Sequence, residues 1–483
     1  MSYARICAMI GAVLAGILLL AGPRDAEAAP DYCTAVNPLC LLSIGGYTPA
    51  QATMAQSINN VCPTIAGIPA PSSGLADLVA ICSGMNATST ALQGGPAGGA
   101  IPGLNINGLK NALTQLNGGA ETLVPTNQAS VLRNLQSGAL AGRLSVLHTR
   151  MMGGGGAEND EPRSSALAMN DGTTAQDAPS RILLAQTAPT EMSLWRDKLG
   201  VFVNAIGQFG DSSSTGSQNG YDFNNEGFLI GADYRVLPQL TLGVAFGYTY
   251  SSTDFNVSPT SAPGQYLHGN LFQGSFYGSW YATDSLYFDG SATFGGGDND
   301  SQRHVVIPGL LDRIASGSFG TRTYGVTLGG GYAIPIEALT LTPTARFEFR
   351  RMESDSFTEA GGSGVDLTYG NSQQNAFLSF LGGQAQYAIS TSFGVISPTA
   401  RFDWAHQYNR GNTSIAVAYS NDPTLLSNFT LPGGQQSRNY FDLGVGVAMQ
   451  LANNWSAFVN YDAILGVNNT SFNSFTAGVR FGF

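Results

Sequence analysis

The chain has 483 residues and a formal net charge of −11, and only 11% of its residues are charged, although it contains 62 glycines. This charged fraction is well below the roughly 25% of typical soluble proteins. No internal run approaches the roughly 20 apolar residues of a spanning helix, and no basic patch indicates a nucleic-acid partner. Few charges without a spanning helix favour a transmembrane β-barrel, in which lipid-facing and lumen-facing residues average out.

Residues 1–28 are predicted to be a secretory signal peptide. Arg5 supplies a small positive region, Ile6 to Leu20 form an apolar core, and Ala26-Glu27-Ala28 gives a small-x-small cleavage site. The alternative is a retained membrane anchor, which the short apolar run disfavours. Signal cleavage predicts that the mature protein is exported.

Four cysteines remain after this cleavage, namely Cys33, Cys40, Cys62 and Cys82. An even number of clustered cysteines in an exported protein indicates two disulfides formed in an oxidising periplasm. Three connectivities are open. Zinc is the alternative, but no histidine lies nearby and no C-x-x-C spacing occurs. We therefore predict disulfides and no metal or other cofactor.

Residues 29–150 are predicted to form a small α-helical, disulfide-linked domain. Thr48-Pro49-Ala50-Gln51 is typical of a helix start with proline at the first helical position. Leu75, Leu78, Val79 and Cys82 have the i, i+3, i+4, i+7 spacing of a helix with one buried face. The longest helical pattern covers residues 128–150.

Residues 151–194 have a different composition. Gly153 to Gly156 lead into a Ser/Thr/Ala/Asp-rich run that can bury too little apolar surface to offset the entropy of ordering. We predict a disordered linker or a segment that passes through a pore, although Pro179 and Pro189 disfavour a helix over 178–196.

From residue 195 to 483 the apolar period becomes two, the period of β-strands. The last ten residues alternate strictly, with Phe475, Ala477, Val479, Phe481 and Phe483 on one side. A strand that ends on an aromatic residue is expected to close a barrel between lipid and water. Twelve antiparallel strands are predicted, starting near residues 199, 227, 240, 270, 285, 319, 339, 376, 394, 438, 454 and 473.

The connections between these strands are of two kinds. Thr283-Asp284 is a tight turn, whereas residues 252–268, 296–318 and 410–437 are predicted to be long loops. Short turns at one end and long loops at the other are typical of an outer-membrane barrel. A soluble β-sandwich is the alternative, but it requires no aromatic residues at so many strand ends. The aromatic residues predicted to form interfacial girdles are Tyr248, Tyr250, Trp280, Tyr281, Tyr332, Trp404, Tyr408, Tyr440 and Trp455.

Charged residues fix which side of each strand is the lumen, because they cannot face hydrocarbon. We expect them to pair across the barrel, where they would either hold a plug helix or tune a pore. The predicted lumen-facing charges are Asp233, Arg235, Asp289, Arg346, Glu348, Arg350, Arg401 and Asp403.

The C-terminal part of the chain resembles the autotransporter β-domain of type V secretion. The resembling segments are Gly231-Ala232-Asp233-Tyr234, the run from Pro398 to Tyr408, Asp442-Leu443-Gly444-Val445-Gly446 and the final run from Ala477 to Phe483. The resemblance implies insertion by the barrel-assembly machinery after delivery by periplasmic chaperones, with an assembly signal at Phe475, Val479, Phe481 and Phe483. It also implies a translocated N-terminal passenger and a helix left in the lumen. Here the passenger is short, helical and cysteine-containing, unlike the long β-helix usual in the family.

Three short blocks resemble a GDSL-type esterase, which some autotransporters carry: Gly210-Asp211-Ser212, Gly297-Asp298-Asn299-Asp300 and Asp403-Trp404-Ala405-His406. That chemistry needs a serine activated by a histidine, with an aspartate and oxyanion donors beside it. Positions 403 and 406 would project from opposite faces of a strand, and no helical period occurs between residues 227 and 410. We predict no catalytic residue and no enzyme activity.

Taken together, these patterns predict a monomeric barrel over residues 195–483 in the outer membrane of a Gram-negative bacterium. The barrel is expected to anchor, and to translocate or display, the N-terminal segment at the cell surface or in the periplasm. The alternative function is a pore or channel.

Overall fold

The computed structural model describes residues 40–69, 71–118, 198–215, 219–409, 414–431, 437–451 and 454–483. All of them belong to one compact unit, Leu39–Phe483. The predicted signal peptide, Cys33, the predicted helix over 128–150 and the linker over 151–194 lie outside the described residues. Among the described residues, no helix is both long enough and apolar enough to cross a membrane.

Twelve antiparallel strands form a closed barrel, as the sequence predicts. Each strand pairs with its neighbours around the barrel, and β12 returns to β1 through Cα partners running from Gly200 and Gly482 to Phe209 and Asn473. Closure leaves no unpaired sheet edge, which is what hydrocarbon surroundings require. The strands are β1 Leu199–Ser212, β2 Tyr221–Leu237, β3 Leu240–Phe255, β4 Tyr266–Tyr281, β5 Leu286–Ile307, β6 Leu311–Tyr332, β7 Leu339–Ser354, β8 Ser372–Tyr387, β9 Gly394–Gln407, β10 Asn439–Leu451, β11 Trp455–Leu465 and β12 Phe472–Gly482.

Alternate side chains of these strands face outward and inward. On β7, Phe347 and Phe349 are exposed on the outer surface, while Glu348 between them is 1% exposed and faces inward. On β3, Val244 faces outward and Thr249 inward in the same way. The outer surface is therefore apolar and the lumen polar, as expected for a barrel in lipid.

Some of the predicted details are wrong. Residues 296–318 are not a loop, because β5 and β6 continue as paired strands to a tight turn between Ile307 and Leu311. Tyr281 and Tyr440 are buried and face inward, so they do not belong to the outer aromatic girdles. Both residues have the parity of the lumen-facing positions on their strands, which strand-end position alone does not reveal.

In the described part of the chain, three helices precede the barrel: α1 Pro49–Ile65, α2 Ser73–Leu92 and α3 Ile106–Leu116. A capping box starts α1, since Thr48 and Gln51 each bond the other's backbone N–H through their side chains. Ser72 caps α2 and Asn105 caps α3. α3 was not among the helices predicted from the sequence. We call residues 40–118 the helical domain.

A disulfide between Cys62 and Cys82 joins α1 to α2. Cys40, in front of the short 3₁₀ turn Leu41–Ile44, is disulfide-bonded as well. The helical domain is thus cross-linked between its first two helices.

Two structures project from the end of the barrel that carries the long loops. The first is the projecting hairpin, residues 295–323, which is the part of β5 and β6 beyond the outward-facing Phe294 and Tyr324. The second is the loop sheet, four short strands at Phe357–Thr358, Leu367–Tyr369, Ile415–Tyr419 and Phe429–Leu431. The tight turns, together with Leu199 and Gly482, lie at the opposite end.

Candidate functional site: the barrel lumen and its covered mouth

The lumen contains a group of ion pairs centred on Arg401 of β9. Its guanidinium lies 3.1 Å from Asp442, 2.8 Å from Asp462 and 3.6 Å from Asp403. The alternation of β9, β10 and β11 directs all four side chains inward. One arginine therefore holds three strands together through charge-assisted hydrogen bonds.

A second group lies on β7. Glu348 is 3.0 Å from Arg346 and 2.6 Å from Arg350, its neighbours on the same face of the strand. The Arg346 guanidinium lies 4.1 Å from the centre of the Phe380 ring on β8, which is a cation–π contact. The carboxylate that β7 places in the lumen is thus paired on both sides.

The third group is a single ion pair: Arg480 of β12 lies 3.2 Å from Asp233 of β2, on the other side of β1. The Tyr277 hydroxyl donates to the same carboxylate at 3.3 Å. This pair ties both sides of the seam at which the barrel closes.

Every predicted lumen charge lies at a lumen-facing position of its strand, and Arg235 and Asp289 complete the set. The prediction omitted Asp442, Asp462 and Arg480, although their parity could have revealed them. The described part of the lumen carries five arginines and six carboxylates. Nine of these eleven charges lie in the ion pairs described above. A wall of closely balanced charges differs from the rings of one sign that select ions in charged pores.

The mouth at the long-loop end is where the helical domain packs. One hydrophobic core contains residues of all three helices together with residues of the projecting hairpin and the loop sheet. Leu78 and Leu113 represent the helices in this core, and Leu367 and Val417 represent the loops; none is more than 2% exposed. The helical domain and the loops thus share a single interior.

A buried ion pair lies beneath this contact. Arg303 of the projecting hairpin forms a two-pronged pair with Glu359, at 3.0 and 2.5 Å, and the two side chains are 2% and 4% exposed. Arg303 also donates to the carbonyl oxygens of Gln115 in α3, at 3.1 Å, and Val365, at 2.6 Å. Its guanidinium therefore joins the hairpin, the loop sheet and the end of α3.

Further polar contacts cross the same boundary. The hydroxyl of Tyr419, in the loop sheet, donates to the carbonyl of Leu116 at 3.2 Å. Burial raises the pKa of this phenol, so it stays a neutral donor. Ser57 of α1 donates to the carbonyl of Ser427 at 2.9 Å.

His304, next to Arg303, links the projecting hairpin to a neighbouring loop. Its Nδ1 lies 2.8 Å from the carbonyl of Pro263 and its Nε2 lies 2.7 Å from Asp312. Partial burial acts to lower the pKa of His304, but the hydrogen bonds with Asp312 and Pro263 raise it more, so the pKa lies above its usual value. With Nδ1–H donating to the carbonyl, Nε2 can donate to the carboxylate only when the ring is protonated.

The remaining predicted site residues lie on barrel strands. Phe475, Val479 and Phe483 of the predicted assembly signal are each 50% exposed on the outer surface, and Phe481 lies between Trp455 and Phe483.

The three esterase-like blocks also lie on strands, two of them in the barrel wall and one in the projecting hairpin. The side chain of Ser212, at the end of β1, bonds to Thr470, and the block from Gly297 to Asp300 belongs to the part of β5 that pairs with β6 in the projecting hairpin. Asp403 faces the lumen, whereas His406 bonds to Asn439 on the other face of β9. Across the residues that the structure describes, no three His, Cys, Asp or Glu side chains are grouped to hold a metal ion.

Comparison with known proteins identifies the barrel. Residues 201–462 match the family model described as the autotransporter β-domain. The extracellular serine protease of Serratia marcescens is 24% identical over 306 residues, which are 63% of this chain and 28% of that protein. Esterase EstA of Pseudomonas aeruginosa is 21% identical over 263 residues, which are 54% of this chain and 38% of that protein. The chain spans less than two-fifths of the length of either relative.

Among solved structures, the translocator domain of autotransporter NalP from Neisseria meningitidis is similar, with a TM-score of 0.48 and 16% identity over 59% of this chain and 89% of that one. The names protease and esterase describe those relatives, whereas the family that this chain matches is described as a β-domain. The family match runs from β1 to β11 and covers more than half of the chain. This protein therefore belongs to the autotransporter β-domain family, the outer-membrane barrels of type V secretion.

Proposed function

We propose that the barrel anchors the helical domain in the outer membrane and displays it on the cell surface, at the outer mouth of the barrel. The observation that carries this proposal is the shared core between the helical domain and the loops. In outer-membrane barrels the long loops face the outside and the tight turns face the periplasm. A domain that packs on the long-loop end is then outside the cell.

The path of the chain supports the same proposal. Gly118, the last described residue after α3, lies against Leu367 and Tyr369 at the long-loop end. Lys198, in front of β1, bonds to Arg235 at the tight-turn end. Gly118 and Lys198 thus lie at opposite ends of the barrel, and the lumen is the polar route past the hydrocarbon. We therefore propose that part of residues 119–197 passes through the lumen; the helix predicted over 128–150 and the segment 151–194 both lie in this interval.

Assembly follows from the same membership of the family. We propose that periplasmic chaperones deliver the chain and that the barrel-assembly machinery recognises β12 through Phe475, Val479, Phe481 and Phe483. The outward orientation of Phe475, Val479 and Phe483 supports this, because outward-facing aromatic and apolar side chains are stabilised only when the strand reaches the bilayer. The assembled barrel is proposed to be monomeric.

A channel has less support. Most of the described lumenal charges are paired and their signs are closely balanced, and a folded domain packs at the mouth through which solutes would enter. Display of the domain explains both features, whereas conduction explains neither.

Insertion of an epitope tag tests the proposal. One variant carries the tag between Ala97 and Gly98, in an exposed turn of the helical domain, and a matched control carries it between Thr283 and Asp284, in an exposed tight turn of the barrel. We expect antibody to label the first variant on intact cells and the control only after the outer membrane is permeabilised. Labelling of the helical domain only after permeabilisation would refute surface display.

A further inference from the structure

The loop sheet and the projecting hairpin do more than hold the helical domain in place. We infer that residues 40–118 gain a stable fold only at the outer end of the barrel, because these loops supply one side of their core. The loops are thus an intramolecular folding template. This inference rests on the proposed display of the domain and adds the step at which the displayed domain becomes folded.

The composition of the shared core is the first support. Among the described residues, this core has 27 buried members, of which seventeen belong to the helical domain and ten to the barrel loops. Tyr369, Ile415 and Val417 are among those ten, and each is at most 4% exposed. In a segment as short as the helical domain, a core of its own rarely supplies more than about 3–5 kcal/mol. Without the loops, the apolar side chains that now meet them would be in water.

The end of α3 is the second support. The last carbonyl groups of a helix have no partner within the helix. Here Tyr419 donates to the carbonyl of Leu116 and Arg303 donates to the carbonyl of Gln115, and both donors come from the barrel. The helical domain therefore depends on the barrel for hydrogen bonds at a buried helix end as well as for apolar contacts.

The fit between backbones is the third support. Gly364, in the short 3₁₀ turn Ser363–Val365, lies so close to α2 that a Cβ atom added there would be 2.5 Å from the backbone nitrogen of Leu78. Only a residue without a side chain allows this approach. The loops are shaped to receive α2.

Charge is the fourth support. Asp77 and Lys110 are the only charged residues between positions 40 and 118. Asp77 pairs with Arg313 of the projecting hairpin at 3.3 Å. A surface with almost no net charge keeps a free domain poorly soluble, yet it suits a chain that crosses a lumen before it folds, because few charged groups must be moved along the way.

Two neighbouring residues in the loop sheet provide a matched test. Val417 faces the helices and is 2% exposed, whereas Ala416 is exposed on the opposite face of the same strand. Val417→Asp places a carboxylate in the shared core, and Ala416→Asp places the same group in water. Gly364→Ala, at a different site, forces α2 away from the loops.

The readout is cleavage of the tagged helical domain by thermolysin on intact cells that express the full chain. The heat-modifiable mobility of the barrel on gels reports whether the barrel itself has folded. We expect Val417→Asp and Gly364→Ala to raise the cleavage rate about ten-fold or more, because the opened domain becomes accessible. Ala416→Asp is expected to stay within about two-fold of the unaltered chain.

Two results would overturn the inference: a domain that resists thermolysin equally in all variants, or Ala416→Asp having as large an effect as Val417→Asp. If Val417→Asp prevents assembly of the barrel, Gly364→Ala decides the matter. A tag that antibody cannot reach on intact cells refutes display and not templated folding. In that case, cleavage of the purified full-length protein in detergent decides the inference by the same comparison.

Discussion

The buried ion pair between Arg303 and Glu359 allows the strength of the contact between the helical domain and the loops to be predicted. Arg303→Met removes the cation and leaves the Glu359 carboxylate, 4% exposed, with the hydroxyl of Tyr369 and the backbone N–H of Leu367 as its neutral donors. It also removes the donor to the carbonyl of Gln115. Leaving one member of a buried pair uncompensated costs about 3–5 kcal/mol.

A second substitution tests whether this cost has the proposed cause. Glu359→Gln removes the buried charge, keeps an oxygen that accepts from the Leu367 N–H, and turns its NH2 towards the Tyr369 hydroxyl, which can accept a hydrogen bond. We therefore expect Arg303→Met/Glu359→Gln to recover about 2 kcal/mol relative to Arg303→Met alone, which is a typical coupling energy for residues in one network.

The assay is thermolysin cleavage of the helical domain in the purified full-length protein. When opening and closing are fast compared with cleavage, the rate follows the population of the open form. A cost of 3–5 kcal/mol then corresponds to roughly a hundred-fold to several-thousand-fold faster cleavage. The reasoning is refuted if Arg303→Met costs less than about 1 kcal/mol, or if the double variant is at least as sensitive as the single variant.

Three further predictions concern other parts of the molecule. Ala345 lies near the middle of the outer surface of β7, so Ala345→Arg should lower the free energy of unfolding in lipid by about 2–4 kcal/mol. Thr344→Arg places the same cation in the lumen beside Asp403 and should cost less. Equal costs in urea titrations would contradict the assigned orientation of β7. The pKa of His304 is raised, so the protonated ring stabilises the projecting hairpin. This stabilisation is complete below the usual histidine pKa of about 6.5 and is lost as the pH rises through the raised pKa. Thermolysin sensitivity of the hairpin should therefore rise with pH over this range, and His304→Gln should abolish the pH dependence. Phe483→Ala removes a lipid-facing ring and should reduce the amount of heat-modifiable barrel in the outer membrane; an unchanged amount would argue against its role in assembly.

The barrel could be predicted from the sequence because lipid and lumen impose a strict period of two on every spanning strand. Predicted and observed strand starts coincide at Leu199, Leu240, Leu339 and Gly394. The largest differences occur at the long-loop end, where strands leave the hydrocarbon. There the outer face no longer has to be apolar, so the pattern that marks a spanning strand is lost although the hydrogen-bonded pairing continues through β5 and β6.

The covered mouth could not be predicted, because its contacts join parts of the chain that are far apart in sequence. Ser57 and Ser427 are separated by 370 positions and belong to segments that looked like a separate domain and a loop. The apolar residues of the loop sheet, such as Val417 and Tyr419, lie in runs too short to identify a strand or its partner. Arg303 likewise looks like an ordinary polar loop residue until Glu359 and the end of α3 are placed around it.

The projecting hairpin determines how the helical domain would meet its surroundings. Beyond Phe294 the paired strands continue to Ile307, so at about 3.3 Å per residue the projecting hairpin is roughly 40 Å long. A domain that packs on this hydrogen-bonded hairpin keeps a fixed height and orientation. A binding partner would not have to immobilise the domain, so little ordering entropy would be lost on binding. Such a domain also cannot reach out as one on a flexible tether does, so whatever it binds must approach within a short distance of the bacterial surface.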